Sequence, residues 1–250
     1  MIPEVPGYLT MFESAVRPLV AAIALALVWT GAARMQAPTR SRYATAWALS
    51  VTLIAWLAVA QYFASANTYF ASTETAVPTV LFGLLVPLAV AAIGLWSSAN
   101  VTSLVSAIPL PRLVAAQVYR IGGGIFLVLM VDGRLPWQFA LPAGIGDVTT
   151  GAVAVVAATL LAQKANGARR AVYAWCLFGI ADLVVAITMG AMTSPGRAHL
   201  LAFEAPNLLI SAHPLVMVPI FAVPLALMLH GLVLWRLRRE SASTGRLAVV

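Results

Sequence analysis

Charge is what this chain of 250 residues has least of: Asp, Glu, Lys and Arg together make up 9% of it. A soluble domain carries about a quarter charged residues. A water-facing globule is therefore excluded, and 62% apolar residues exclude a disordered chain as well. Cysteine occurs once, at Cys176 inside an apolar run, so no intrachain disulfide forms. Lysine also occurs once, at Lys164 between apolar runs, which leaves none in the last run to carry a retinal Schiff base. H-E-x-x-H, a phosphate-binding loop and a G-x-S-x-G elbow are all missing. The net charge of +7 sits in short clusters rather than along one face, which argues against nucleic acid as a partner.

Long hydrophobic runs are what the chain does have, and its mean hydropathy is +0.94. About 20 apolar residues cross a bilayer core as a helix. Seven stretches qualify: 14–33, 43–64, 77–97, 114–131, 143–163, 170–192 and 213–235. They predict an all-α polytopic integral membrane protein, a single helical bundle over 1–250 with the lipid bilayer as its surroundings. Glu4 and Glu13 precede the first run where a signal peptide would be basic, so that run is expected to remain as a span. Pro142 is expected in the first turn of span five, and Pro219 and Pro224 are expected to kink span seven.

Orientation follows from the short loops. Eleven basic residues collect at one end (Arg34, Arg40, Arg42, Arg112, Lys164, Arg169, Arg170, Arg236, Arg238, Arg239 and Arg246), against Arg17, Arg134 and Arg197 at the other. That places the N-terminus outside and the C-terminus inside. Residues 98–113 read as an amphipathic inner linker broken by Pro109 and Pro111. Residues 193–212 read as an outer loop whose LLAF and NLLI runs fold back on the helix ends, and 237–250 as a basic cytoplasmic tail. An internal echo joins R-YATAW-AL at 42–49 to R-AVYAW-CL at 170–177, and Val-Pro-Leu at 86–88 to 223–225. It suggests a 3+1+3 parallel repeat around a linker span.

Four ionisable residues interrupt the spans: Arg120, Asp147, Asp182 and His230. Each costs at least ~2.5–3.5 kcal/mol at membrane depth and must pair or face water. At about 1.5 Å per residue, Asp182 falls near the midplane. Arg120 then lies about 5 Å and His230 about 8 Å toward the inside, and Asp147 about 9 Å toward the outside. Arg120 and Asp182 are close enough in depth to pair, and the stagger predicts a polar track for a small-molecule substrate or a proton. Each residue alone also has a structural reading, as a helix-pairing ion, a snorkelling arginine, a helix-start acid or a kink-capping histidine. Gly122, Gly123 and Gly124 beside Arg120, and Gly144 and Gly146 before Asp147, allow close helix packing or a local break.

Glu204, His213 and His199 are the further polar groups of the outer end. His213 and His230, about 25 Å apart on one expected helix, cannot share a haem. His199 and His213 near Met189, Met192 and Met217 have the donor chemistry of copper. Methionine is also ordinary filler in apolar helices, and no metal or cofactor is expected.

Three motifs carry a resemblance: Tyr119-Arg120-x-Gly122, FALPAGIGD at 139–147, and P-L-V-x-V-P-x-F-x-V-P-L at 214–225. They resemble uncharacterised bacterial multi-pass membrane proteins, which implies a seven-helix fold and no activity. The residues themselves support a carrier, proton-coupled or for a small solute. Two alternatives stand beside it. One is a non-catalytic subunit or assembly factor of a larger membrane complex or homo-oligomer. The other is a lipid-modifying enzyme using Asp147, Glu204 and His213 as acid–base groups.

Overall fold

The computed structural model describes residues 3–71 and 79–247, with side chains as far as 240. Hydrocarbon offers no partner for a backbone N–H or C=O, so a spanning segment must satisfy its own, and the described chain is built of helices accordingly. They are α1 (Gly7–Arg34), α2 (Thr39–Ser65), α3 (Val80–Ser97), α4 (Ala99–Ala107), α5 (Leu110–Ala115), α6 (Ile125–Val131), α7 (Trp137–Ala162), α8 (Ala168–Thr193) and α9 (Val223–Leu247). A 3-10 stretch, Ala116–Gly124, joins α5 to α6, and a π-helical turn, Val218–Ala222, leads into α9. Seven of the resulting helical segments are long and apolar enough to cross a membrane, with α5, the 3-10 stretch and α6 forming the fourth, Leu110–Val131. Prolines set several starts: Pro6, Pro38, Pro109 and Pro136 each stand in extended conformation immediately before a helix. Proline has no N–H to lose and cannot continue a preceding helix.

The helix limits depart from the sequence expectations in four places. Span five begins at Trp137, because Pro136 initiates it, and Pro142 lies inside the helix rather than in its first turn. Span seven begins at Val218, so His213 precedes it and does not share a helix with His230. The 98–113 linker breaks at Pro109 as expected, but α4 is docked, with Leu104 fully buried in a small cluster with Ala32, Met35 and Ala46, and Pro111 opens α5 rather than breaking the segment. The 237–250 segment continues α9 through Leu247 and is no free tail, while residues 248–250 lie outside the described residues. Residues 77 and 78, expected to open span three, also lie outside them, as does Glu74.

The 193–212 loop folds back by one of its two apolar runs. Asn207 is fully buried, its N–H donates to the Thr193 carbonyl (2.8 Å), and Ser194 Oγ donates to the Asn207 carbonyl (3.0 Å). Leu209 is buried with it, whereas Leu200 and Phe203 of the LLAF run are exposed. Arg134 reaches the Glu4 carbonyl (3.0 Å) and Tyr8 donates to Asp132 (2.9 Å). These bonds gather the start of α1 and the 132–136 turn at one end of the bundle, the N-terminal end.

Small residues let the central helices meet. The buried face of α7 is Ala140, Ala143, Gly144, Gly146, Thr150, Gly151, Ala154, Ala157 and Ala158, and it packs on α8 and on the 3-10 stretch. Without a hydrophobic force between helices in lipid, such close approach supplies the packing. At Gly151 the approach is tight enough that an added Cβ would lie 2.7 Å from the Ile121 nitrogen, whereas one at Gly94 would meet nothing within 4 Å. We predict that Gly151→Ala destabilises the detergent-solubilised protein by about 1–3 kcal/mol through overpacking. Gly94→Ala should be neutral or slightly stabilising. Thermal unfolding of the two variants decides this, and equal melting temperatures would contradict the packing described.

Candidate functional site

The site is built around an arginine whose helix is wound unusually tightly. Residues 116–124 form nine residues of 3-10 helix in mid-span, whereas such runs seldom exceed three or four residues. Two hydrogen bonds tie this stretch to the last span. Gln117 Nε2 donates to the Ala226 carbonyl (2.9 Å) and Tyr119 Oη to the Ala222 carbonyl (3.0 Å). Arg120, only 3% exposed, projects from the middle of the stretch toward α7, α8 and α9.

The four ionisable residues that interrupt spans four to seven meet there. Arg120 Nε donates to Asp147 Oδ1 (2.7 Å), and one terminal nitrogen, Nη2, donates to Asp182 Oδ2. The other, Nη1, lies 3.2 Å from both the Gly179 carbonyl and His230 Nε2. A guanidinium only donates, so His230 Nε2 accepts and its proton resides on Nδ1. Four of the five guanidinium N–H donors are thereby engaged. The side-chain atoms lie together, not spread over the depths that counting residues along each span implies. A long arginine side chain reaches along the bundle, and both aspartates bind the same planar group.

Glycine makes the room. A Cβ on Gly123 would overlap Asp147, one on Gly146 would overlap Asp182, and one on Gly179 would overlap His230. Each acidic or imidazole side chain thus occupies the space over a glycine on a neighbouring helix, and the triple glycine serves both the tight winding and the packing. Around His230 the wall is completed by Trp175, ring centroids 4.8 Å apart, whose Nε1 donates to the Thr150 carbonyl (3.0 Å). Three buried polar atoms here, His230 Nδ1, Thr150 Oγ1 and Gln117 Oε1, find no hydrogen-bond partner among the described residues.

Two cavities converge on the cluster. One of about 50 Å³ lies between α1, the 3-10 stretch and the last span, and is lined by Glu13, Tyr119, Arg120 and Asp147. The other, about 150 Å³, runs from Asp147 past Phe126, Phe139 and Leu183 to Ser194, Arg197 and Ser211 at the N-terminal end. Asp147 lines both. Its side chain is 15% exposed, against 7% for Asp182 and 2% for Arg120, so it is the accessible member.

Glu13 is the member that reading the sequence misses. The apolar run starts at 14 and leaves Glu13 as a flanking acid, whereas the helix extends back to Gly7 and carries Glu13 inside, 4% exposed. The only available signal was its i, i+4 spacing to Arg17 on one helix face.

The other polar candidates do not join the cluster. His213 Nε2 accepts from Gln61 Nε2 (2.9 Å), and Gln61 Oε1 accepts from Arg17. His199 stacks on Phe203 (4.7 Å) with Nε2 unpartnered among the described residues, and Glu204 is exposed. Among the described residues no three or more His, Cys, Asp or Glu are grouped to hold a metal ion.

Two predictions follow from these contacts. Replacing Arg120 with methionine leaves two buried carboxylates without their cation, and we predict a loss of about 3–5 kcal/mol. The triple variant Arg120→Met, Asp147→Asn, Asp182→Asn should regain most of it in detergent unfolding. Arg120→Met melting like wild type would rule out the buried ion pairs. Burial and then the Arg17 charge hold the His213 imidazole below its ordinary value of 6.5. The unfolded chain therefore takes the proton first, and the stability present above that range is lost as pH falls below it. Between pH 7 and 5 wild type should lose more thermal stability than His213→Gln, and parallel losses would refute the assignment.

The comparisons with known proteins bear on this same region. No curated protein and no solved structure matches the chain. A family model, described as a domain of unknown function (DUF8737), matches residues 75–238. The match takes in Arg120, Asp147, Asp182 and His230, and leaves Glu13, Arg17 and Gln61 outside it. It covers more than half of the 250 residues, and the chain belongs to this family of domains of unknown function.

Proposed function

We propose that the protein is a proton-coupled carrier for a small solute, seated in a bacterial inner membrane with its N-terminal end outward. The observation that supports this reading is the convergence of Arg120, Asp147, Asp182 and His230, from four spans, at the point where two cavities meet. A purely structural ion pair needs one acid. Here one guanidinium faces two carboxylates, so with both ionised and His230 neutral the cluster carries one excess negative charge. In a low-dielectric interior such a charge is retained only if something periodically balances it. A proton or a substrate cation at Asp147 does so. Binding of either then changes which of the spans the guanidinium holds together.

The larger cavity runs from the cluster toward the N-terminal end. Toward the opposite end the bundle is closed by Leu113, Val172, Trp175, Leu229 and Val233, all buried in one cluster. That arrangement fits one conformation of an alternating-access cycle, with the cluster as the gate. The Nδ1 of His230, unpartnered among the described residues, is the relay atom of this reading, on a ring that packs beside Trp175.

A second reading, a subunit of a larger membrane complex, draws on α3. Leu84 is the one buried residue on that helix among those described, and Trp96 is 93% exposed, which leaves most of the helix to lipid or a partner. The lipid-modifying alternative is the weaker one, since Asp147 binds Arg120 and His213 binds Gln61, away from any shared acid–base pair.

Charge movement tests the carrier. On a solid-supported membrane, a pH jump should give a transient current from proteoliposomes. We predict that Asp147→Asn and Asp182→Asn each reduce it at least tenfold while the proteins still purify as folded monodisperse species. Currents equal to those of empty liposomes in wild type, or undiminished in both variants, would end the proposal.

A further inference from the structure

The larger cavity has the size and lining of a ligand site. At about 150 Å³ it matches the engineered apolar cavity that stays dry and binds benzene. Its walls are Leu84 of α3, Leu183, Ala186 and Ile187 of α8, and Val218 ahead of α9. Phe126 and Phe139, edge to face with ring centroids 5.3 Å apart, add an aromatic wall. Among the described residues Asp147 is the one acid in its lining; Arg197 stands at the exposed rim, where water screens it.

The polarity of the floor selects the ligand's charge. Asp147 commits Oδ1 to Arg120, and its Oδ2 makes no hydrogen bond among the described residues. A carboxylate offers about four lone-pair sites, so unused acceptor capacity remains on Asp147, which lines the cavity. Arg120 has little to offer an anion: its side chain is 2% exposed and four of its donors are engaged. With both aspartates ionised, the cluster's excess negative charge disfavours a further carboxylate or phosphate and favours an ammonium. Phe126 and Phe139 line the same cavity, and an ammonium within about 6 Å of either ring face would gain cation–π attraction. The lining reaches the exposed Leu81 and Ala191 on the flank of α3 and α8, which gives a lipid-dissolved body a way in from the side.

We infer that this cavity binds a small organic ammonium ion with an apolar body of about benzene size, its nitrogen at Asp147. The inference names the substrate class of the proposed carrier and rests on that reading for transport, though not for binding.

Benzylammonium, toluene and benzoate share one body and differ in charge, and they are the probes. Binding to the purified wild-type protein in detergent at pH 7 should be at least tenfold tighter for benzylammonium than for either of the others. Asp147→Asn should lower benzylammonium affinity at least tenfold and leave toluene unchanged, which also reports that the variant is folded. Ala186→Phe, which fills the cavity, should abolish both. Benzoate binding as tightly as benzylammonium, an undiminished Asp147→Asn, or binding that survives Ala186→Phe would overturn the assignment. Benzylammonium binding without any pH-jump current would leave the site standing and remove the carrier. The pH-jump current without benzylammonium binding would do the reverse.

Discussion

A guanidinium in the middle of a membrane bundle cannot lose its charge, because its proton affinity is too high for burial to remove it. Everything around Arg120 answers to that. The side chain must be surrounded by acceptors, and the fold brings it two carboxylates, a carbonyl and an imidazole nitrogen from three other helices. Those partners in turn determine which faces of α7, α8 and α9 look inward. The register of the central helices is thus specified by polar contacts, where apolar side chains alone, surrounded by equally apolar lipid, would specify little.

Fitting four polar side chains into a space between close-packed helices requires removing something else. What is removed is the Cβ atom, at Gly123, Gly146 and Gly179, each opposite one of the polar groups. The 3-10 winding of residues 116–124 belongs to the same accommodation. It gives Gln117, Tyr119 and Arg120 side-chain directions that an α-helix would not, two toward carbonyls of the last span and one toward the acids. Mid-helix 3-10 winding of this kind often marks a hinge or a sequence under strain.

The candidate site was legible residue by residue, and for a simple reason. Ionisable groups are so unfavourable in hydrocarbon that Arg120, Asp147, Asp182 and His230 stand out against their spans without any three-dimensional information. Their arrangement was not legible. Counting 1.5 Å per residue treats every span as a straight, upright α-helix and ignores side-chain length; span four is partly 3-10, and arginine extends several ångströms from its backbone. Glu13 escaped for a related reason, since hydropathy marks where apolar residues begin and not where a helix does. At the outer end His213 sits before the last helix and bonds to Gln61, while His199 stacks on Phe203, contacts that no spacing along the chain encodes.

Composition and apolar run length suffice for the environment and the number of crossings, because a bilayer imposes one length and one backbone solution on every span. Local chemistry suffices for many helix starts, because proline without an N–H belongs just before a helix. Which polar groups share a partner, which glycines face them and where empty space remains depend on how tilted, unevenly wound helices lie against one another. Those are relations between residues as far apart as Glu13 and His230, and they come into being only when the bundle closes.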